Sequence, residues 1–228
     1  MLTLPQRPGS TAPTVQHTDQ TYESAAVIRI FLNLITCQTE QLPFTSPYTE
    51  WQADLESLLY FLDKYDSQPA LKQLRLYGAE MALHRSLEDD SAFIFGVTTN
   101  DLALCIDVIT NLPTWEKSDY AKYPAELRGV NGKSLMDLTC APFSFAASIP
   151  FPYSWALDRA CRKTNPLKHP YTFSREFHHR VVAAFQGIEK FGRGAHGIHK
   201  PWPAIVQTPN LPKELWDSDI ESEGESDG

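Results

Sequence analysis

Apolar residues recur at intervals of three and four along most of the chain, and this spacing constrains the fold more than any other feature. A repeat near 3.6 residues places apolar side chains on one face of an α-helix, whereas a half-buried strand needs alternation with a period of two. Alternating runs are nearly absent, with at most a short strand near Thr14-Val15. We therefore expect a mainly α-helical protein with minor or no β-structure.

Three helices are predicted in the first part of the chain. The first runs from about residue 19 to 36, with Thr18 or Asp19 as its cap. The second opens with a T-x-x-Q capping box at Thr49 and continues with a leucine stripe. The third restarts at Ser67-Gln68-Pro69, because proline is favoured in a first turn, and its short link to the second predicts a helical hairpin. The leucine stripe consists of Leu55, Leu58, Leu59 and Leu62.

Shorter helices are predicted to follow. Asp89-Asp90-Ser91 is expected to cap a fourth helix, and Thr99-Asn100-Asp101 to break it and start a fifth that ends before Pro113. Between residues 115 and 152 the prediction is one turn at 124–127 and short helices at 132–138 and 142–148. Two longer helices are expected at about 152–163 and 172–191, and Gly192 stops the second of them.

These elements predict one folded domain with extensions. A chain of 228 residues can bury a sizeable core without disulfides or metal ions. The proline-containing residues 1–13 are an irregular lead-in, and residues 14–191 form the helical domain. Residues 192–212 are a loop rich in Gly, His and Pro, and residues 213–228 are an acidic disordered tail.

The negative charge of the sequence is concentrated in that tail. The net charge is −8, and residues 214–228 contain seven acids and no base, which leaves 20 bases against 21 acids elsewhere. A nearly neutral body with an acidic tail is a poor partner for phosphate backbones, so we expect no nucleic-acid partner.

Two serines of the tail are candidate phosphorylation sites. Ser218 and Ser222 each stand three residues before an acid, which is typical of acidophilic kinase substrates. Phosphorylation there is expected to strengthen binding to a basic partner and to weaken docking on the neutral body. A purely solubilising tail explains the same composition.

Cysteine spacing and the absence of targeting signals indicate an intracellular protein, cytoplasmic or nuclear. The four cysteines match no C-x-x-C pattern, and free thiols suit a reducing compartment. The N-terminal residues lack the apolar core of a secretory signal, and no run of 18 apolar residues exists, so no membrane partner is expected.

Glycine motifs do not predict a nucleotide site. Residues 192–197 match G-x-G-x-x-G, but they follow a helix instead of a strand and are interpreted as a helix-exit loop. Gly132-Lys133-Ser134 matches the end of a phosphate loop, yet Leu127 stands where the motif needs its first glycine. We interpret that triplet as a turn and helix start.

The remaining polar residues do not predict catalysis. Five histidines fall late in the chain, without the cysteine or carboxylate spacing of a zinc site, and Asp89-Asp90 is explained by the positive end of a helix dipole. No nucleophile elbow, which is a G-x-S-x-G turn between a strand and a helix, is predicted. We therefore predict no catalytic residue, no cofactor and no metal. The five histidines are His169, His178, His179, His196 and His199.

The chain from about residue 13 to 163 resembles the BTB/POZ-like proteins that are abundant in basidiomycete fungi. One motif on which the resemblance rests is Asp63-Lys64-Tyr65-Asp66, at the end of a leucine-rich helix. The other matching segments, in chain order, are residues 13–15 as a strand, 23–35, 55–62, 70–76, 92–97, 102–105, 125–130 and 149–157.

The resemblance implies the C-terminal half of a BTB/POZ fold plus a helical extension. The N-terminal hairpin and first helices of that fold have no counterpart before Pro13, so self-association stays open. We predict a non-catalytic protein–protein interaction module, an adaptor or scaffold, whose partners are other proteins. The alternative is a small helical enzyme or ligand-binding protein that uses the late His/Gly region.

Overall fold

The structure, a computed structural model, describes residues 22–45, 47–115 and 127–191. Helices account for 69% of these residues, which contain no strand, so the prediction of a mainly α-helical single domain is confirmed. An isolated bridge pairs Thr114 with Ser134. The α-helices are α1 (Ala25–Ile35), α2 (Tyr48–Lys64), α3 (Gln68–Leu83), α4 (Asp89–Thr99), α5 (Leu102–Asn111), α6 (Phe143–Ser148), α7 (Phe151–Lys163) and α8 (Pro170–Phe191).

Helix α1 begins later than predicted. Ser24 has extended backbone angles, and its hydroxyl accepts a hydrogen bond from the Val27 amide at 3.3 Å. A side-chain oxygen at this position satisfies an amide that has no partner within the helix. The predicted start at residue 19 is therefore wrong, and the proposed caps Thr18 and Asp19 lie outside the described residues.

The capping box predicted for α2 does not form. Pro47, with φ −53° and ψ 142°, takes the capping position, so Thr49 lies inside the first turn. The Gln52 side chain donates instead to the Ser148 carbonyl and to Glu56 Oε1, both at 3.2 Å. The contact with Ser148 joins α2 to α6. It uses the Gln52 side chain, which the capping box would have directed back to the start of α2.

The predicted hairpin of α2 and α3 is confirmed. Helix α2 ends at Lys64, Asp66 turns the chain with φ 46°, and Pro69 stands in the first turn of α3. All four residues of the leucine stripe in α2 are buried.

Helix α4 is the centre of the core. Residues 91–99 are all buried, because α2, α3 and α5 pack around this helix. Its Phe95 lies against Trp51 and Phe44, with ring centroids 6.0 and 5.6 Å apart. A helix covered on every side needs apolar residues all round.

The two ends of α4 differ in how well the sequence predicted them. Glu88 takes the N-terminal capping position without a side-chain bond, so Asp89 lies in the first turn and the predicted cap is wrong. At the other end the predicted break is confirmed. Asn100 adopts a left-handed conformation with φ 53°, and Asp101 Oδ1 accepts from the Leu104 amide at 3.1 Å and caps α5.

The helix predicted at 132–138 is wrong. Gly132 has φ +71°, and the Trp115 amide donates to the Lys133 carbonyl at 3.1 Å, so this segment turns back along residues 114–115. Ser134 then accepts from the Met136 amide at 3.1 Å within a tight turn. A pairing with residues almost twenty positions earlier overrides the local preference. The turn predicted at 124–127 lies mostly outside the described residues, whereas the short helix α6 is confirmed.

Helices α7 and α8 form a second hairpin. Helix α8 of this hairpin packs against α5. Tyr153 of α7 lies 6.3 Å from Phe177 and 5.7 Å from Phe185, measured between ring centroids. Its hydroxyl also donates to the Asn100 side chain and so joins the hairpin to the corner between α4 and α5. None of the described helices combines the length and apolarity needed to cross a membrane.

Candidate interaction surfaces

Several of the residues that the sequence singled out lie outside the described part of the chain. Ser218, Ser222, His196 and His199 lie outside the described residues, as does the glycine motif at 192–197. Within the described residues, no group of three or more His, Cys, Asp or Glu side chains could hold a metal ion. The triplet beginning at Gly132 is a turn with an exposed lysine and a buried serine.

The adjacent histidines on α8 lie in different surroundings. His178 is half-buried, and its pKa is lowered, first by burial and then by the neighbouring His179. His179 is exposed. This pair has the roughly 100° divergence of consecutive helical residues, so it does not present two nitrogens to one ligand.

Two thiols, the buried Cys105 and the half-buried Cys161, have raised pKa values. Burial raises the pKa of the Cys105 thiol well above its usual value and that of Cys161 to about 12. Because the thiolate is the nucleophile and the metal ligand, both groups behave as small apolar side chains at neutral pH.

One buried carboxylate, Glu23, fastens the chain before α1 to the end of α2. Glu23 Oε1 accepts from the Tyr65 hydroxyl at 2.8 Å and forms an ion pair with Lys64. The hydrogen bond to Glu23 is also the main reason that the pKa of Tyr65 is raised. Sequence reasoning missed this contact, because nothing in the spacing of the three residues links Glu23 to α2.

Helix α3 carries an apolar face on its solvent side. Leu76 and Leu83 are 55% and 79% exposed, and Ala79 between them is also exposed. At 100° per residue these three side chains lie opposite Leu74 and Tyr77, which are buried. We call Leu76, Ala79 and Leu83 the α3 outer face. These three residues recur at helical spacing in the sequence, but spacing alone does not distinguish an exposed stripe from a buried one.

A short repeat places two phenylalanines in solvent. Phe143 and Phe151 are the first residues of α6 and α7 and are 63% and 65% exposed. Each follows a proline with φ −58° and ψ 145°. The aromatic residue two positions later, Phe145 or Tyr153, is fully buried. The signal for this arrangement is P-F-x-aromatic, repeated after eight residues.

Charge is divided between the two parts of the body. Residues 22–115 contain 13 acids and five bases, whereas residues 127–191 contain four acids and nine bases. The body is therefore nearly neutral only as a sum over the sequence. Counting charge by segment would have revealed this division from the sequence.

The basic part presents a mixed cationic and apolar surface where α7 leads into α8. Lys168 and Arg175 are exposed, and neither side chain forms an ion pair within the described residues. Tyr171, which is 75% exposed, shares a helix face with Arg175, and Leu167 next to Lys168 is exposed as well. We call Leu167, Lys168, Tyr171 and Arg175 the α7–α8 surface.

An ion-pair network supports this surface from within the hairpin. Glu176 lies 2.8 Å from Lys163 Nζ of α7 and 2.6 Å from Arg180 of α8. The hydrogen bond from Lys163 is the main cause that lowers the pKa of Glu176, and Arg180 adds to it. Since Glu176 is shared by two cations, the basic character of the region is only partly neutralised.

No protein-family model matches the sequence. Comparison with curated proteins gives no match, and neither does comparison with solved structures.

Proposed function

We propose that the protein is a non-catalytic protein–protein interaction module that serves as an adaptor or scaffold. The α3 outer face carries this proposal. Burying a leucine side chain is worth about 1.5–3 kcal/mol, and folding leaves this gain unused at Leu76 and Leu83. Exposed apolar residues scattered singly need no explanation, but two leucines with an alanine on one helix face form a continuous strip.

The surroundings of the strip indicate the chemistry of its partner. Helix α3 belongs to the acidic part of the body, in which acids outnumber bases by 13 to five. Close to the strip in sequence, Glu80 and Glu88 are exposed, as are Lys72 and Arg85. An amphipathic helix with an apolar face and flanking lysines or arginines complements such a surface in both respects. We therefore propose a helical segment of a basic protein as the partner.

The resemblance to BTB/POZ-like proteins belongs to this proposal and stays a prediction. An adaptor of that kind works inside the cell, and binding through α3 does not require the N-terminal hairpin of that fold. No described observation favours the alternative of a small enzyme or ligand-binding protein that uses the late histidines.

A comparison of surface variants tests the proposal. Proteins that co-purify with the tagged full chain are quantified for wild type, for Leu76→Gln/Leu83→Gln and for the matched variant Leu167→Gln. We expect at least one protein to fall about tenfold or more in the α3 variant, since the lost burial exceeds 1.4 kcal/mol, and to be retained by Leu167→Gln. Equal recovery with all three chains contradicts the proposal.

Two controls accompany this comparison. The melting temperatures of the variants must stay close to that of wild type, because the substituted side chains are exposed. Sedimentation of the purified chain then tests self-association. Concentration-dependent dimers that dissociate in Leu76→Gln/Leu83→Gln would identify a second copy as the occupant and would contradict a separate basic partner.

A further inference from the structure

We propose that the α7–α8 surface binds the acidic C-terminal segment of the same chain, residues 214–228. This inference is independent of the binding role proposed for α3, which lies in the acidic part of the body. It rests on three observations: the charge of the two parts, their apolar side chains, and the length of chain that joins them.

Charge complementarity is the first observation. Lys168 and Arg175 lack carboxylate partners within the described residues, and residues 127–191 carry five more bases than acids. Residues 214–228 contain seven acids and no base. No other stretch of similar length in the sequence is as acidic. Opposite charges at this density attract, and the attraction weakens as salt is added.

The apolar side chains are the second observation. Tyr171 and Leu167 stand exposed among the cations of the α7–α8 surface. The C-terminal segment offers Leu215, Trp216 and Ile220 next to its acids. A site for small anions alone would not need an exposed tyrosine and leucine, whereas a peptide with both kinds of side chain fits both kinds of contact.

The third observation is reach. From Phe191 back to Arg175 along α8 there are 16 residues, or about 24 Å at 1.5 Å per residue. The 22 residues from 192 to 213 can span up to about 70 Å when extended. Residue 214 can therefore return to the α7–α8 surface. Covalent attachment favours this segment over a separate acidic partner, because it supplies an effective concentration on the order of millimolar.

Added negative charge has a defined effect on this docking. On a neutral body, charge on Ser218 and Ser222 is expected to weaken docking of the segment. Since the surface concerned is basic, charge at these serines strengthens the contact instead.

Zero-length crosslinking of the full chain tests the inference. A carbodiimide joins a carboxylate to a lysine amine only where the two groups touch, and mass spectrometry locates the joined peptides. We expect carboxylates of residues 214–227 to be joined to Lys168 and not to Lys72, an exposed lysine of α3. The yield should fall in 0.5 M NaCl, where the screening length is only about 4 Å.

Substitutions that leave the crosslinked lysines intact sharpen the test. Arg175→Glu should lower the yield at Lys168 about fivefold, and Ser218→Asp/Ser222→Asp should raise it. Arg29→Glu, at an exposed position of α1, is the matched control and should leave the yield unchanged. A yield at Lys168 no higher than at Lys72, or one that Arg175→Glu does not alter, overturns the inference.

A mixture of isotopically labelled and unlabelled chains identifies the donor of the segment. Joined peptides that are both labelled or both unlabelled come from one chain and support the inference. Joined peptides that pair labelled with unlabelled segments assign the contact to a second copy and overturn binding within the chain.

Discussion

At the scale of single residues, Gly78 sets how closely α3 approaches α4. A Cβ added at Gly78 would lie 2.2 Å from Phe95 Cε1, and Phe95 cannot move away because it is fully buried among other rings. Gly78→Ala should therefore lower the free energy of unfolding by about 1–3 kcal/mol, measured by urea denaturation.

Gly187 in α8 is the matched control for this glycine. A Cβ there meets no atom within 4 Å, so Gly187→Ala should raise the free energy of unfolding by about 0.5–1 kcal/mol through helix propensity. If both substitutions change stability in the same direction, the close contact between α3 and α4 is incorrect.

The helix ends were predictable from the sequence only where no neighbouring residue could play the same role. The break between α4 and α5 was predicted correctly, because the polar residues Asn100 and Asp101 separate two apolar runs. The start of α1 was not, since Thr18, Asp19 and Ser24 are all good caps and only the path of the chain selects one. The contact of Glu23 with α2 depends on that same path.

At the scale of elements, the leucine stripe of α2 gives the sharpest contrast between core and surface. Leu58 is fully buried, whereas Leu83 of α3 is largely exposed. Leu58→Asp places an unpaired carboxylate in the core and should cost several kcal/mol, which is comparable to total stability. Leu83→Asp should change stability by less than about 0.5 kcal/mol. Thermal melts of the two variants check this prediction, and a melt of Leu58→Asp within about 2 °C of wild type would show that the stripe is not buried.

The link between α7 and α8 should be sensitive to acid. Because the pKa of Glu176 is lowered in the folded protein, its contribution is present above the unfolded pKa of about 4.3 and is lost as pH falls through the folded pKa. Glu176→Gln should reduce the free energy of unfolding by about 1 kcal/mol at pH 7, since its cationic partners are partly exposed.

Below pH 4 the difference between wild type and Glu176→Gln should shrink as wild type becomes protonated. Glu80→Gln, at an exposed carboxylate of α3 without an ion pair in the described residues, is the control. A difference for Glu176→Gln that stays constant from pH 7 to pH 3 would contradict the role given to this carboxylate.

Helices were predictable where a single apolar stripe at helical spacing marks them, as in α2, α3 and α8. The segment at 132–138 was not, because its pairing with Trp115 comes from elsewhere in the chain and no local pattern encodes it. The exposed faces were harder still. The α3 outer face and the phenylalanines Phe143 and Phe151 repeat at regular intervals, but periodicity alone assigns apolar residues to a core.

At the scale of the whole molecule, the helical content itself is open to a direct measurement. A circular dichroism spectrum of the full chain should be dominated by helical signal, with strand content well below the average of about 20–25%. The described residues contain no strand. A spectrum dominated by β-structure would contradict both the sequence argument and the fold.

The division of charge accompanies two exposed surfaces that contain apolar side chains. The acidic part, residues 22–115, exposes the α3 outer face, and the basic part, residues 127–191, exposes the α7–α8 surface. Under the two proposals, the first surface binds a basic helix and the second binds the acidic segment of the same chain. Summed composition conceals this arrangement, because the two contributions nearly cancel.

The proposed function depends most on the α3 outer face being a binding site. Hydrogen exchange tests binding at this face most directly. The full chain is compared alone and with the protein that wild type retains and Leu76→Gln/Leu83→Gln loses. Peptides that cover α3 around Leu76 and Leu83 should exchange more slowly in the complex, while peptides of α8 around Val181 should not change. Unchanged exchange in α3, or protection confined to another helix, would contradict the claim.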